Sequence, residues 1–178
     1  MHFSIKYYFN SFIIKDMKIE LATSKNINRI LKIYESAKKF MESQSNHQWH
    51  AGYPGFKMVK AEIKKKELYV VKDEDNEIVA VFAFILGVDH TYLKIDGKWL
   101  NDEPYGTIHR LAKVKETKGI LKFVVDYCFS LTDNIRIDTK ETNKAMISKL
   151  LELGFSKCGI IVLDNGEDRI AFQKIKGN

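Results

Sequence analysis

Apolar and polar residues alternate along this chain with two different periods. Ile27, Ile30, Leu31, Tyr34, Ala37 and Met41 recur at helical spacing and predict one amphipathic helix. Thr23 or Ser24 can cap it, a side-chain oxygen accepting an N–H that the first turn leaves unpaired. Residues 56–66 predict a second, shorter amphipathic helix. Short β-branched runs predict strands at 18–22, 68–71, 78–86, 107–112, 135–139, 157–163 and 169–174. The run 78–86 is almost wholly apolar, which predicts a central strand covered on both faces. Acidic residues 73–77 join it to 68–71 as an antiparallel hairpin, and Asn165-Gly166 turns the last two strands. Asp96-Gly97, flanked by 91–95 and 98–100, predicts a further hairpin with a two-residue turn.

The densest signal lies between Tyr105 and Phe155. An apolar strand (107–112) is followed by a polar turn with Lys118-Gly119, a helix with Ile120, Leu121, Val124, Val125 and Cys128 on one face, and a second strand (135–139). Strand, helix, strand predicts a parallel pair joined by a right-handed crossover. The helix from Asn143 shows Met146, Ile147, Leu150 and Leu151 on one face and ends at Gly154, a C-terminal cap. A glycine turn into a helix aims free backbone N–H groups at whatever sits there, and an anion such as phosphate suits that position. Many such turns hold nothing.

Composition narrows the classes. A chain of 178 residues with 45% hydrophobic residues fits one globular domain. The net charge of +6 comes mainly from dispersed lysines, with no basic run interleaved with aromatics. A solvated surface explains it better than a nucleic-acid interface, and some lysines can attract an anionic cofactor. Cys128 and Cys158 sit in apolar runs, as free thiols do in a reducing cytoplasm. The histidines lack metal-ligand spacing, so no metal is expected. Residues 1–16 are aromatic and apolar but broken by Lys6, Asn10 and Lys15, with no small-residue cleavage site, and are too short to span a bilayer. They form an extension that is either an upstream start or an extra packed element, ahead of a single domain at 17–176; no membrane partner is expected.

Candidate chemistry lies in polar residues within apolar runs. His109 and Arg110 interrupt the 107–112 strand, on opposite faces if side chains alternate regularly. His109 can serve as a base near neutral pH or as a structural histidine, and Asp138 is a titratable partner or a loop-fixing carboxylate. The loop 43–55 carries Trp49 and Tyr53 among polar residues and glycines, so it either lines a pocket or anchors itself to the core.

Arg110-Leu111-Ala112, Lys118-Gly119-Ile120, Ile137-Asp138-Thr139, Asn143 and Leu153-Gly154-Phe155 together resemble the core of the GNAT-family N-acetyltransferases, over about 17–174. The resemblance implies an α/β domain of the α+β type: a mixed, mainly antiparallel central sheet flanked by helices and splayed between the two strands of the βαβ unit. It implies acetyl-CoA as co-substrate, its pantetheine arm along Leu111, Ala112 and Lys113 and beside Asn143 and Met146. The pyrophosphate would lie at Thr117, Lys118, Gly119, Ile120, Leu121 and Lys122. It places Trp49 and Tyr53 on the acceptor side, and transfer to a primary amine of a small molecule or peptide, with His109 and Asp138 as the catalytic candidates. Asn143 either caps its helix or bonds the pantetheine. Three positions depart from the family pattern. Glu116 replaces its glutamine or arginine, Leu121 its second glycine, and Leu150 the tyrosine that many members use as acid. These departures motivate an alternative, a non-catalytic acyl-CoA binding or sensing module. Homodimers are common among such proteins, but no interface can be read.

Overall fold

The computed structural model describes residues 17–114 and 116–177. The extension expected at 1–16 lies outside them. The elements are β1 (Lys18–Leu21), α1 (Ile27–Ser43), α2 (Phe56–Lys65), β2 (Leu68–Lys72), β3 (Ile78–Leu86), β4 (Asp96–Gly97), β5 (Gly106–Lys113), α3 (Ile120–Cys128), β6 (Asn134–Thr139), α4 (Lys144–Glu152), β7 (Ser156–Val162) and β8 (Asp168–Ile175). The strands form one mixed, eight-stranded sheet in the order β1-β2-β3-β5-β6-β8-β7-β4. The β5–β6 pair is parallel, and the β1–β2, β2–β3, β6–β8, β7–β8 and β4–β7 pairs are antiparallel. No helix among the described residues is long and apolar enough to cross a membrane.

The chain packs as two compact units. The first contains 17–41, 49–83 and 110–120, and the second 42–48, 84–109 and 121–177. In the first unit α1 turns its apolar stripe inward, burying Ile30, Ile33 and Tyr34 beside Val59 of α2 and Leu68 of β2. Each such side chain contributes about 1.5–3 kcal/mol of burial. Trp49 joins this core, edge-on to Tyr34 at 5.6 Å. A 3-10 turn at Ser24–Asn26 precedes α1. Thr23, one of the two expected caps, is its N-cap, and it also donates its N–H (2.8 Å) and its hydroxyl (2.9 Å) to Asn26 Oδ1.

The second unit is organised around aromatic rings. Tyr92 stacks on Trp99 at 5.4 Å, and the Arg136 guanidinium lies 4.0 Å from the Trp99 ring centre and 3.9 Å from that of Tyr105. This packing overturns the hairpin expected at Asp96-Gly97. His90–Tyr92 is a 3-10 turn, and Asp96 and Gly97 are themselves a strand, paired with Ile160 and Gly159 of β7. Two causes are visible. Tyr92 is drawn into the core, where its carbonyl accepts from Trp99 Nε1 at 3.1 Å. Gly97 and Gly159 also approach so closely that a Cβ on Gly97 would lie 2.2 Å from the Cys158 carbonyl oxygen.

The parallel ladder between β5 and β6 has two rungs, Gly106 with Ile135 and Thr107 with Arg136. It then stops, although β6 continues through Asp138 to Thr139 and keeps pairing with β8 as far as Thr139–Ile170. Ile108 and His109 thus leave the ladder just where the side chains of His109 and Asp138 become available for chemistry.

Candidate active site around His109

The second unit gathers four polar side chains at this parting of strands. His109 Nε2 lies 2.9 Å from Asp89 Oδ2. Asp89 is fixed on three sides: its Oδ1 accepts from the Thr91 N–H (2.9 Å) and hydroxyl (2.7 Å), and its own N–H donates to Tyr105 Oη (3.1 Å). The other ring nitrogen, Nδ1, lies 4.0 Å from Asp138 Oδ1, too far for a direct hydrogen bond. Asp138 is held by the Tyr92 hydroxyl, which donates to Oδ1 at 2.7 Å, and faces Arg169 Nε at 3.8 Å. The Tyr92 ring also meets the His109 ring edge-on at 6.1 Å. The side chains of His109, Asp89 and Asp138 keep 15%, 16% and 10% of their surface, so the cluster is sheltered yet reachable.

Burial pushes the Asp89 carboxyl upward, but hydrogen bonds from His109 and Thr91 outweigh it and hold the group below the usual carboxylate range. Tyr92 moves the other way, since burial and then the Asp138 charge keep its hydroxyl protonated and donating. Behind Asp138, Arg169 donates to Glu167 at 2.7 Å, and Lys140 donates to the same carboxylate at 2.9 Å. Hydrogen bonds from Lys140 and Arg169 lower Glu167 to about 2. An ionised Asp89 can only accept, so a neutral imidazole facing it would carry its hydrogen on Nε2.

The neighbouring residue belongs to the first unit and behaves differently. Arg110 has φ of 51°, in the left-handed region, so β5 loses regular extended geometry there. The simple alternation expected for His109 and Arg110 therefore does not hold. Arg110 forms an ion pair with Glu62 of α2 and donates to Tyr53 Oη at 3.4 Å. Burial works against the guanidinium charge, but Glu62 and Tyr53 outweigh it and raise its pKa. The Tyr34 hydroxyl is buried nearby without a hydrogen-bond partner, its pKa raised by burial and by Glu62. Of the two aromatics expected on the acceptor side, Trp49 is committed to the core, whereas Tyr53 is half-buried and stacks on His50 at 5.5 Å.

The turn expected to hold phosphate leads directly into α3. Gly119 takes φ of 74° and α3 begins at the next residue, so the first backbone N–H groups of a nine-residue helix lack intrahelical acceptors. Lys118, Gly119 and Lys122 are exposed, and Thr117 and Leu121 are half-buried. Lys122 pairs with Asp126 at 2.7 Å. Glu116, at the position where the family has glutamine or arginine, is also exposed. In the first unit, Leu111 is half-buried, Ala112 is buried, and Lys113 is exposed, with its pKa lowered by desolvation against Glu116.

Asn143 caps α4. Its Oδ1 accepts from the Met146 N–H at 3.3 Å, and its Nδ2 donates to Thr139 Oγ1 at 3.1 Å. Thr139 in turn donates to Gln48 Oε1, and Thr142 to Asn46 Oδ1, tying the end of the α1 loop to the β6–α4 turn. Met146 is half-buried on α4, and Leu150, where many family members have tyrosine, is fully buried. Sequence reasoning named His109 and Asp138, which the structure places 4.0 Å apart, but not Asp89 and Tyr92. The available signal was Asp89 two residues before Thr91, a turn-capping pattern hidden by reading 91–95 as a strand.

A mixed sheet whose parallel ladder parts after two rungs defines an α/β protein. Scanning the sequence against family models gives no match, and comparison with curated proteins gives none either. Solved structures do match. A GNAT-family acetyltransferase from Streptococcus agalactiae is 31% identical, with 93% of this chain and 98% of that one covered and a TM-score of 0.83. Others from Listeria monocytogenes (15% identity, 96% and 99% covered, TM-score 0.70) and Bacillus cereus (21% identity, 91% and 99% covered, TM-score 0.57) share the fold. The chain belongs to the GNAT family of acetyltransferases.

Proposed function

We propose that this protein is an acetyl-CoA-dependent N-acetyltransferase that acetylates a primary amine of a small molecule or peptide by direct attack. The observation that carries the catalytic part is the uncommitted Nδ1 of His109, facing Asp138 at the end of the short ladder. Bound acetyl-CoA supplies the activated acetyl group and a thiolate leaving group. Leu111, Ala112 and Lys113 would hold its arm, and the N–H groups around Thr117–Lys122 would take its pyrophosphate at the α3 N-terminus. Asn143 orders the α4 N-terminus beside Met146, and its amide keeps a further hydrogen and lone pair for the pantetheine. His109 takes a proton from the acceptor ammonium and frees the nitrogen lone pair, and Asp138 faces the imidazolium that results. Tyr53 and Trp49, both packed in the core of the first unit, are the residues assigned to the acceptor. Two free thiols, both buried, suit a reducing compartment such as the cytoplasm. Dispersed lysines support neither a nucleic-acid nor a membrane partner; a homodimer is compatible with the family.

The buried Leu150 favours one second reading, an acyl-CoA binding or sensing module without turnover. Thermal shift with acetyl-CoA, with coenzyme A and ADP as controls, tests cofactor binding: a hundredfold excess over Kd adds about 2.7 kcal/mol of stability. Thiol release across an amine panel then separates the readings. No shift at millimolar acetyl-CoA overturns both, and a shift without thiol release leaves the sensing module.

A further inference from the structure

Asp89 lies twenty positions before His109, outside every motif that marks the family in this sequence. It is nevertheless firmly anchored. Its Oδ1 is fully used by the Thr91 N–H and hydroxyl at 2.9 and 2.7 Å, and its backbone N–H is held by Tyr105 Oη at 3.1 Å. Only Oδ2 is left to point elsewhere, and it points at His109 Nε2, 2.9 Å away. The titratable groups facing the imidazole are Asp89 from the loop before the 3-10 turn, Tyr92 from that turn and Asp138 from β6, with Arg169 of β8 behind Asp138.

We propose that Asp89 is a positioning residue: it holds the hydrogen of His109 on Nε2 and so makes Nδ1 the atom that takes the acceptor's proton. This rests on the transferase reading above. The argument is one of acceptor count. A neutral imidazole has one N–H and one lone pair, and the nitrogen that meets a carboxylate must carry the hydrogen. Among the described residues Nδ1 makes no hydrogen bond, and the nearest carboxylate oxygen, of Asp138, is 4.0 Å away. An acceptor nitrogen placed about 2.8 Å from both Nδ1 and that oxygen would see them at roughly a right angle, within reach of two N–H bonds of one ammonium. When the proton moves, the N–H bond of the ammonium breaks, its electron pair stays on the amine nitrogen, and a new N–H forms on Nδ1. The imidazolium then lies between two carboxylates. If Asp89 were neutral and donating, the hydrogen would move to Nδ1 and the base would be lost, whatever the packing.

The test uses the full chain labelled with nitrogen-15 histidine, the His109 ring signals being assigned by their loss in H109Q. In the unchanged protein, two-bond nitrogen–proton correlations above the titration of the ring should show the Nε2–H tautomer. Asp89→Asn keeps an oxygen for Thr91 but turns an amide N–H toward Nε2, so the same spectrum should show Nδ1–H. Turnover should fall by roughly 10²–10⁴-fold, the range for loss of a general base, with acetyl-CoA affinity unchanged and the acidic limb of the rate–pH profile altered. Asp164→Asn, which removes the partner of exposed His90 (2.8 Å), should change neither reading. A predominant Nδ1–H tautomer in the unchanged protein, or turnover of Asp89→Asn within about threefold of it, overturns the proposal. The expected tautomer in a protein that acetylates no amine refutes the transferase reading and Asp89's role in transfer with it, while the imidazole geometry stands.

Discussion

His109 of the second unit and Arg110 of the first are consecutive on β5, yet their charges are handled differently. Arg110 is answered by the buried Glu62 and by Tyr53, and nothing about that pair invites a substrate proton. His109 has one nitrogen answered by Asp89 and the other, among the described residues, without a hydrogen bond. A closed pair fixes geometry, whereas a half-answered imidazole is a reagent. A left-handed backbone at a non-glycine residue costs on the order of 1–3 kcal/mol, so the Arg110 pair also opposes strain within β5.

Removing one member of the closed pair should have the largest effect. Arg110→Ala takes away the charge opposite Glu62, whose side chain keeps only 9% of its surface, and should cost about 3–5 kcal/mol in denaturant unfolding. The double change Arg110→Met with Glu62→Leu should recover most of that loss. If Arg110→Ala alone unfolds like the unchanged protein, the pair is not what stabilises this stretch.

A smaller effect, about 1–3 kcal/mol, is expected from Leu150→Tyr, because Leu150 is fully buried and a phenol overfills its site. Thiol release should not rise in this variant. A gain in turnover without loss of stability would mean that the missing family acid can be restored and that His109 is not the key proton carrier.

The acid limb of stability sharpens the contrast further. The fold lowers the Asp89 carboxyl, so the unfolded chain binds its proton at a higher pH than the folded one. Stability from this group is therefore complete above the usual carboxylate range and lost as pH falls through and below it. Asp89→Asn should flatten that part of a melting-temperature profile, and an unchanged profile would remove Asp89 from the list of groups the fold holds ionised. The smallest effect should come from Lys122→Ala. Its pair with Asp126 is solvent-exposed, so stability should change by at most about 0.3–0.5 kcal/mol. Any larger change should appear only in acetyl-CoA affinity and should shrink with salt.

Much of the scaffold was legible in the residues. The amphipathic stripe of α1, the apolar run of β3 and the strand–glycine–helix–strand sequence around Gly119 each fix a local structure through periodicity or φ alone. His109 and Asp138 stood out because a titratable group in an apolar strand needs a partner. The partners themselves were not legible. Glu62 lies on a lysine-rich helix where a carboxylate normally faces water, and it is buried only because α2 turns that side toward Arg110. Tyr92 reads like any strand residue until the stack with Trp99 draws it inward. Such pairings span tens of residues and follow from packing, to which local periodicity is blind.

The meeting of Gly97 and Gly159 bears on colloidal behaviour. Two residues of β4 cover the outer edge of β7, and they can do so only while both glycines lack a Cβ, since one on Gly159 would lie 2.2 Å from the Asp96 carbonyl oxygen. A methyl group at either position would lift β4 away and bare the N–H and carbonyl groups of β7, beside the exposed Val162. Bare strand edges recruit strands from other molecules. Damage here would therefore surface first as clumping in concentrated solution, with the imidazole and its carboxylates still in place.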